Sequence, residues 1–264
     1  MPLPMFRSRR RRRLMAEPLA PELREHLEPL PFYRRLTDDH RARLDGLVNV
    51  FLREKRFEGC NGFEITDQVR AVVAAQACLL LLGHDKPSFY RTLRTILVYP
   101  DRYVVPSAQR MPDGSIASGG QVRLGESWLR GAVVLSWADA LRGALAHDDG
   151  HNLVFHEFAH QLDGEDNNMN GAPILRKDEC YGPWARTLSS EFDNLRRDLA
   201  AGRLTEINPY GSTNPAEFFA VLTESFFERP ATLREKHPEL YESLRCYYNQ
   251  DPASRPLAPA QADP

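Results

Sequence analysis

The sequence predicts an α+β fold, helix-rich with a small mixed sheet. Three observations predict it. Apolar residues recur at helical spacing early in the chain and again through its second half. Between them lie three short runs, Thr95–Tyr99, Gln121–Leu124 and Ala132–Ser136, that read as strands. The 264 residues, 42% hydrophobic and 27% charged, suffice to bury one substantial core, and no internal repeat is evident.

Taken in order, residues 1–15 carry Arg7 and Arg9 to Arg13 with no apolar segment behind them, unlike a secretion signal. They are expected to form a basic, disordered, solvated tail. An arginine run can also hold nucleic acid or an acidic membrane surface. Removing those six charges from the formal net charge of −2 leaves a body near −8, which argues against direct nucleic-acid binding. Residues 16–252 are expected to form one domain with a helical N-terminal part, its helices covering 17–55 and 66–83. The strands precede a helix near residue 153, and further helices follow. Residues 253–264, rich in proline and alanine, are expected to be a second disordered tail.

No stretch is long and apolar enough to cross a membrane, so no membrane partner is expected. Cys60, Cys78, Cys180 and Cys246 are scattered without paired-ligand spacing and read as free thiols. That suits a cytoplasmic protein.

The chemistry concentrates in His156-Glu157-Phe158-Ala159-His160. Two histidines four apart share a helix face and can grip one zinc ion, with the intervening glutamate facing a water on the metal. Zinc lowers the pKa of such a water toward about 7, and a nearby carboxylate can take its proton during attack on a carbonyl. Leu153, Val154, Phe155, Phe158, Ala159 and Leu162 make this a buried helix with one polar face; Asn152 is its N-cap and Gly164 its stop. Such a helix is where a zincin-like core keeps its ligands.

A catalytic zinc site needs a third protein ligand. Glu217 ranks first, at the start of the apolar helix that follows Asn214-Pro215, although Asn214 and Glu217 also fit a plain capping box. Asp166 ranks second, ten residues after His156, but the glycine that pattern wants falls at 164 instead of 163. Glu224, two turns beyond Glu217, ranks third. Asp163, three residues after His160, either orients a ligand or ends the helix.

His-Glu-Phe-Ala-His-Gln-Leu-Asp (156 to 163) and Asn-Pro-Ala-Glu-Phe-Phe-Ala-Val (214 to 221) resemble the Mlc titration factor A family of bacterial zinc peptidases. Phe63–Thr66, Ala71–Leu82, Gly125–Trp128, Val134–Trp137 and Leu244–Pro252 extend the resemblance over about residues 16 to 252. The second block is also similar to the zinc-site helix of the anthrax lethal factor catalytic domain. The resemblance implies that His156, His160 and Glu217 are the zinc ligands. It further implies a tyrosine facing the metal, at Tyr210, where a phenol can stabilise the oxyanion or protonate the leaving amine.

The expected function is therefore a cytoplasmic zinc metallopeptidase, with Glu157 as general base, Tyr210 assisting and peptides as substrate. The resemblance adds aminopeptidase-like specificity and a regulatory partner, a glucose repressor of the Mlc type. The alternative is a repressor-sequestering protein whose zinc site is structural or vestigial. Glu157 weighs against that, because a structural site needs no base and closes all four positions with protein atoms.

Overall fold

The computed structural model describes residues 4–101, 103–110, 116–123, 125–128, 131–146, 148–175 and 180–255; residues 4–5, 103–110, 116–123 and 125–128 are described by backbone alone. The basic N-terminal stretch is the first departure from expectation. It forms α1 (Pro4–Ala16), which lies on α4 (Asp38–Glu54). Arg7 and Arg11 each reach a Glu54 carboxylate oxygen at 2.7 Å, and the Arg11 guanidinium lies 4.4 Å over the Phe89 ring. A Cβ at Gly46 would meet the Met15 carbonyl oxygen at 2.5 Å, so the close approach of α1 requires that glycine. A carboxylate 43 residues away thus turns a charge run into a docked helix.

Burial pushes the Glu54 carboxyl up, but hydrogen bonds from Arg11 and Arg7 outweigh it and bring its pKa to about 2. This clamp stabilises the fold above the unfolded carboxylate pKa of about 4.5 and is lost as pH falls toward about 2. Glu54→Gln is expected to cost roughly 1–2 kcal/mol and to speed tryptic cutting at Arg9–Arg13 in the native protein at pH 7. Unchanged cutting would mean the clamp does not hold α1.

The expected helical stretch 17–55 is interrupted. Pro21 and Pro31 open the short helices α2 (Pro21–Arg24) and α3 (Pro31–Arg34), with Ala20 and Leu30 extended before them. Proline lacks the N–H that a continuous helix needs and disfavours helical geometry in its predecessor. Only α4 runs long, capped by Thr37, which accepts from the His40 N–H. The second stretch is α5 (Asp67–Leu79), capped by Thr66, with turns over 80–83.

Two of the expected strands are β2 (Thr95–Tyr99) and β6 (Ala132–Ser136). With β1 (Arg56–Gly59) and β5 (Gly125–Trp128) they form a mixed sheet in the order β1-β2-β6-β5. The first three are parallel, in register Phe57↔Ile96 and Ile96↔Val133; β5 is antiparallel to β6, Glu126 facing Val134. Gln121 to Arg123 lie instead in a separate hairpin of β3 (Tyr103–Arg110) and β4 (Ile116–Arg123), and Leu124 falls outside the described residues.

Helices follow the sheet: α6 (Trp137–Leu145), α7 (Leu153–Asp163), α8 (Tyr181–Ala200), α9 (Pro215–Glu228), α10 (Pro230–Lys236) and α11 (Pro238–Tyr248). The core is continuous. Phe158 of α7 meets Phe51 of α4 and Tyr90 at ring separations of 5.8 and 4.8 Å, and Phe155 meets Phe227 of α9 at 5.3 Å. Helix α7 also contacts β5, so the helix with the two histidines runs beside the sheet's edge strand. In the expected C-terminal tail, Pro252–Ser254 form a 3-10 turn and the Arg255 guanidinium donates to Gln250; residues 256–264 lie outside the described residues. Among the described residues no helix is long and apolar enough to cross a membrane, and all four cysteines are free.

Candidate metal centre

Helix α7 starts where the sequence places it. Asn152 Oδ1 accepts the Phe155 N–H at 2.9 Å, and Gly164 closes the C-terminus. Val154, Phe155, Phe158, Ala159 and Leu162 face the core. The remaining face carries His156, Glu157 and His160.

Helix α9 supplies the third group. Asn214 Oδ1 accepts the Glu217 N–H at 3.0 Å, but the Glu217 carboxylate does not turn back to finish a capping box. Its Oε2 lies 3.0 Å from His156 Nε2 and 3.3 Å from His160 Nε2, and the two Nε2 atoms are 3.3 Å apart. Ligands bonded to zinc at about 2.0–2.1 Å in tetrahedral geometry are separated by about 3.3 Å. These three atoms therefore form one face of a tetrahedron of the right size. They are the His/Cys/Asp/Glu group able to hold a metal found among the described residues.

Electrostatics points the same way. Burial works against charge on His156, but hydrogen bonds to Glu217 and Glu224 raise its pKa well above the ordinary histidine value. Burial likewise opposes the Glu217 carboxylate, yet His156 and His160 bring it to about 2. The carboxylates of Glu217, Glu224 and Glu157 all act on His156, a field that favours positive charge there.

The other two ligand candidates lie elsewhere. Asp166 is exposed in the 3-10 turn after α7, accepting the Asn168 N–H at 2.8 Å. Glu224 stands behind His156, its Oε1 2.8 Å from Nδ1, on the opposite side of the ring from Glu217. Asp163 is fully buried and accepts the Gly171 N–H at 2.9 Å. Gly171, at φ +74°, is where a Cβ would strike the Pro215 carbonyl oxygen at 2.4 Å. That contact seats the loop after α7 against the start of α9, two residues before Glu217. Asp163 Oδ1 and His160 Nδ1 are both buried without a hydrogen-bond partner among the described residues.

Tyr210 is 53% exposed in the 3-10 turn Pro209–Ser212. Asn208 Oδ1 accepts its N–H at 2.9 Å, and its ring centroid is 6.0 Å from that of His156. Asn208 also reaches His151 Nδ1 at 3.3 Å, which places beside this turn a histidine that sequence reasoning did not single out. It missed the partners of Glu224 and Glu228 as well. Their signal was two further charges, four apart, in the mostly apolar helix that also carries Glu217.

A buried helix presenting two histidines four apart, completed by a glutamate from a second helix beside a small mixed sheet, defines a metallopeptidase-like protein. The model of the glucose-regulated metallo-peptidase M90 family matches residues 5–249, and the chain belongs to that family. It is 44% identical over 246 residues to an uncharacterized Synechocystis protein, covering 92% of this chain and 89% of that one. To Mlc titration factor A of Salmonella agona it is 33% identical over 231 residues, covering 86% and 85%. The Salmonella typhi protein of that name is 32% identical over the same length.

Proposed function

We propose that this chain is a zinc-dependent peptidase of aminopeptidase type, with His156, His160 and Glu217 as its metal ligands. The observation that carries this is the triangle of two imidazole nitrogens and one carboxylate oxygen with edges of 3.0–3.3 Å. His156, His160 and Glu217 would hold a zinc ion, which would supply an acidified water molecule and a Lewis acid for the peptide carbonyl. Glu157, three residues before His160 on the same helix, takes the proton of the attacking water and passes it to the leaving amine. Tyr210 donates its phenol hydrogen to the oxygen on which charge develops. The edge strand β5, beside α7, receives the peptide backbone as an added strand.

The name of the Salmonella relatives, Mlc titration factor A, supports a second role for this chain, binding a repressor of the Mlc type. Free thiols at all four cysteines support a cytoplasmic setting.

The test is elemental analysis of the purified protein beside its Glu217→Ala and Asp166→Ala variants. Wild type and Asp166→Ala are expected to carry about one zinc per chain, and Glu217→Ala far less. A folded wild type that takes up no zinc removes the enzyme reading and leaves repressor binding ahead.

A further inference from the structure

A neutral histidine ligates a metal through Nε2 when its proton sits on Nδ1, and a hydrogen-bond acceptor at Nδ1 holds it in that tautomer. At His156 that group is Glu224, whose Oε1 lies 2.8 Å from Nδ1. The second oxygen of the same carboxylate is also engaged, because Oε2 accepts the backbone N–H of Asn152 at 2.7 Å. Two donors thus converge on one side chain that can only accept.

The Asn152 backbone is itself fixed by its side chain. Asn152 Nδ2 lies 3.0 Å from each of three acceptors, Gln76 Oε1 on α5, the Gly143 carbonyl on α6 and Glu228 Oε1 on α9. Its Oδ1 accepts from Phe155 at the start of α7. Gln76 is completely buried, and its Nε2 donates to the Val72 and Ala140 carbonyls at 3.2 Å each. A Cβ on Gly143 would come within 3.1 Å of the Asn152 side chain, so the glycine leaves room for this amide. Four helices therefore meet at one buried asparagine, 1% exposed, whose N–H points at the carboxylate behind His156.

We propose that Glu224 and Asn152 are positioning residues for the metal, Glu224 holding the proton of His156 on Nδ1 and Asn152 holding Glu224. This rests on the reading of His156 as a ligand. Glutamine at 224 keeps the shape but offers one acceptor where two donors must be met. Either the Asn152 N–H loses its partner, or His156 moves its proton to Nε2 and ceases to be a ligand. Serine at 152 keeps the helix cap but removes the amide that ties α7 to α5, α6 and α9.

The test is zinc affinity of the full chain by competition with a chromophoric chelator, together with the visible spectrum of the cobalt-loaded protein. Wild type, Glu224→Gln, Asn152→Ser and Gly143→Ala are compared, with the melting temperature of each metal-free protein measured in parallel. Glu224→Gln and Asn152→Ser are expected to bind zinc about 10–100-fold more weakly than wild type. A changed cobalt spectrum should accompany the loss, and Gly143→Ala should shift both in the same direction by less. Should Asn152→Ser not fold, the other two variants decide. Affinities within twofold of wild type with an unchanged cobalt spectrum, whatever the melting temperature, overturn the proposal while leaving the metal site intact. A wild type that binds neither metal overturns the metal reading, and the positioning role with it.

Discussion

Glu157→Gln is expected to lower peptide hydrolysis by roughly 10²–10⁴-fold while the protein keeps its metal. Glu157 is buried on α7 at 4% exposure, and the His156, His160 and Glu217 group proposed to hold the metal does not include it. An amide of the same shape preserves packing and cannot accept a proton, so loss of turnover is the expected change. The measurement is kcat on a short peptide, with zinc content determined on the same preparation. Retained hydrolysis would mean that another group takes the proton. Retained binding to a Mlc-type repressor without hydrolysis would separate the two proposed activities.

The second large effect is on stability. Glu228 is 5% exposed; its Oε1 accepts from Asn152, and its Oε2 is buried without a partner among the described residues. Burial is the main reason its pKa is raised to about 9; Asp149 and Glu224 add to it, and the Asn152 hydrogen bond only partly offsets it. The folded protein keeps this proton between about pH 4.5 and about 9, whereas the unfolded chain releases it. The group's contribution is fully present below about pH 4.5, declines as pH rises through that window and is lost above about 9.

Glu228→Gln holds a neutral side chain at every pH. It is expected to be more stable than wild type by about 1–3 kcal/mol at pH 8.5, with a smaller gap at pH 5.5. Urea unfolding at the two pH values in the presence of a chelator checks this. An equal gap at both would show that Glu228 does not hold a proton in the folded state.

Much of this protein was legible in its sequence because the relevant geometry is local. A period of 3.6 residues puts His156, Glu157 and His160 on the polar side of a helix whose other residues are apolar. Asn152 and Asn214 begin helices because their short polar side chains satisfy the N–H three positions ahead. The parallel core strands β2 and β6 follow from unbroken apolar runs such as Ile96-Leu97-Val98 and Val133-Val134-Leu135.

The tertiary structure decided what depends on distance between elements. Three carboxylates competed for the third position beside the histidines, and spacing along the chain could only rank them. The packing of α9 on α7 brings Glu217 within 3.3 Å of both rings, puts Glu224 behind one and leaves Asp166 in solvent. The arginine-rich start reads as a tail because repulsion among like charges is visible in sequence, whereas Glu54 becomes its partner only when α4 is folded. By itself the sequence determined which side chains share a helix face. Which faces meet, and hence which groups share a site, required the packed core, because those contacts join residues far apart in the chain through buried apolar surface.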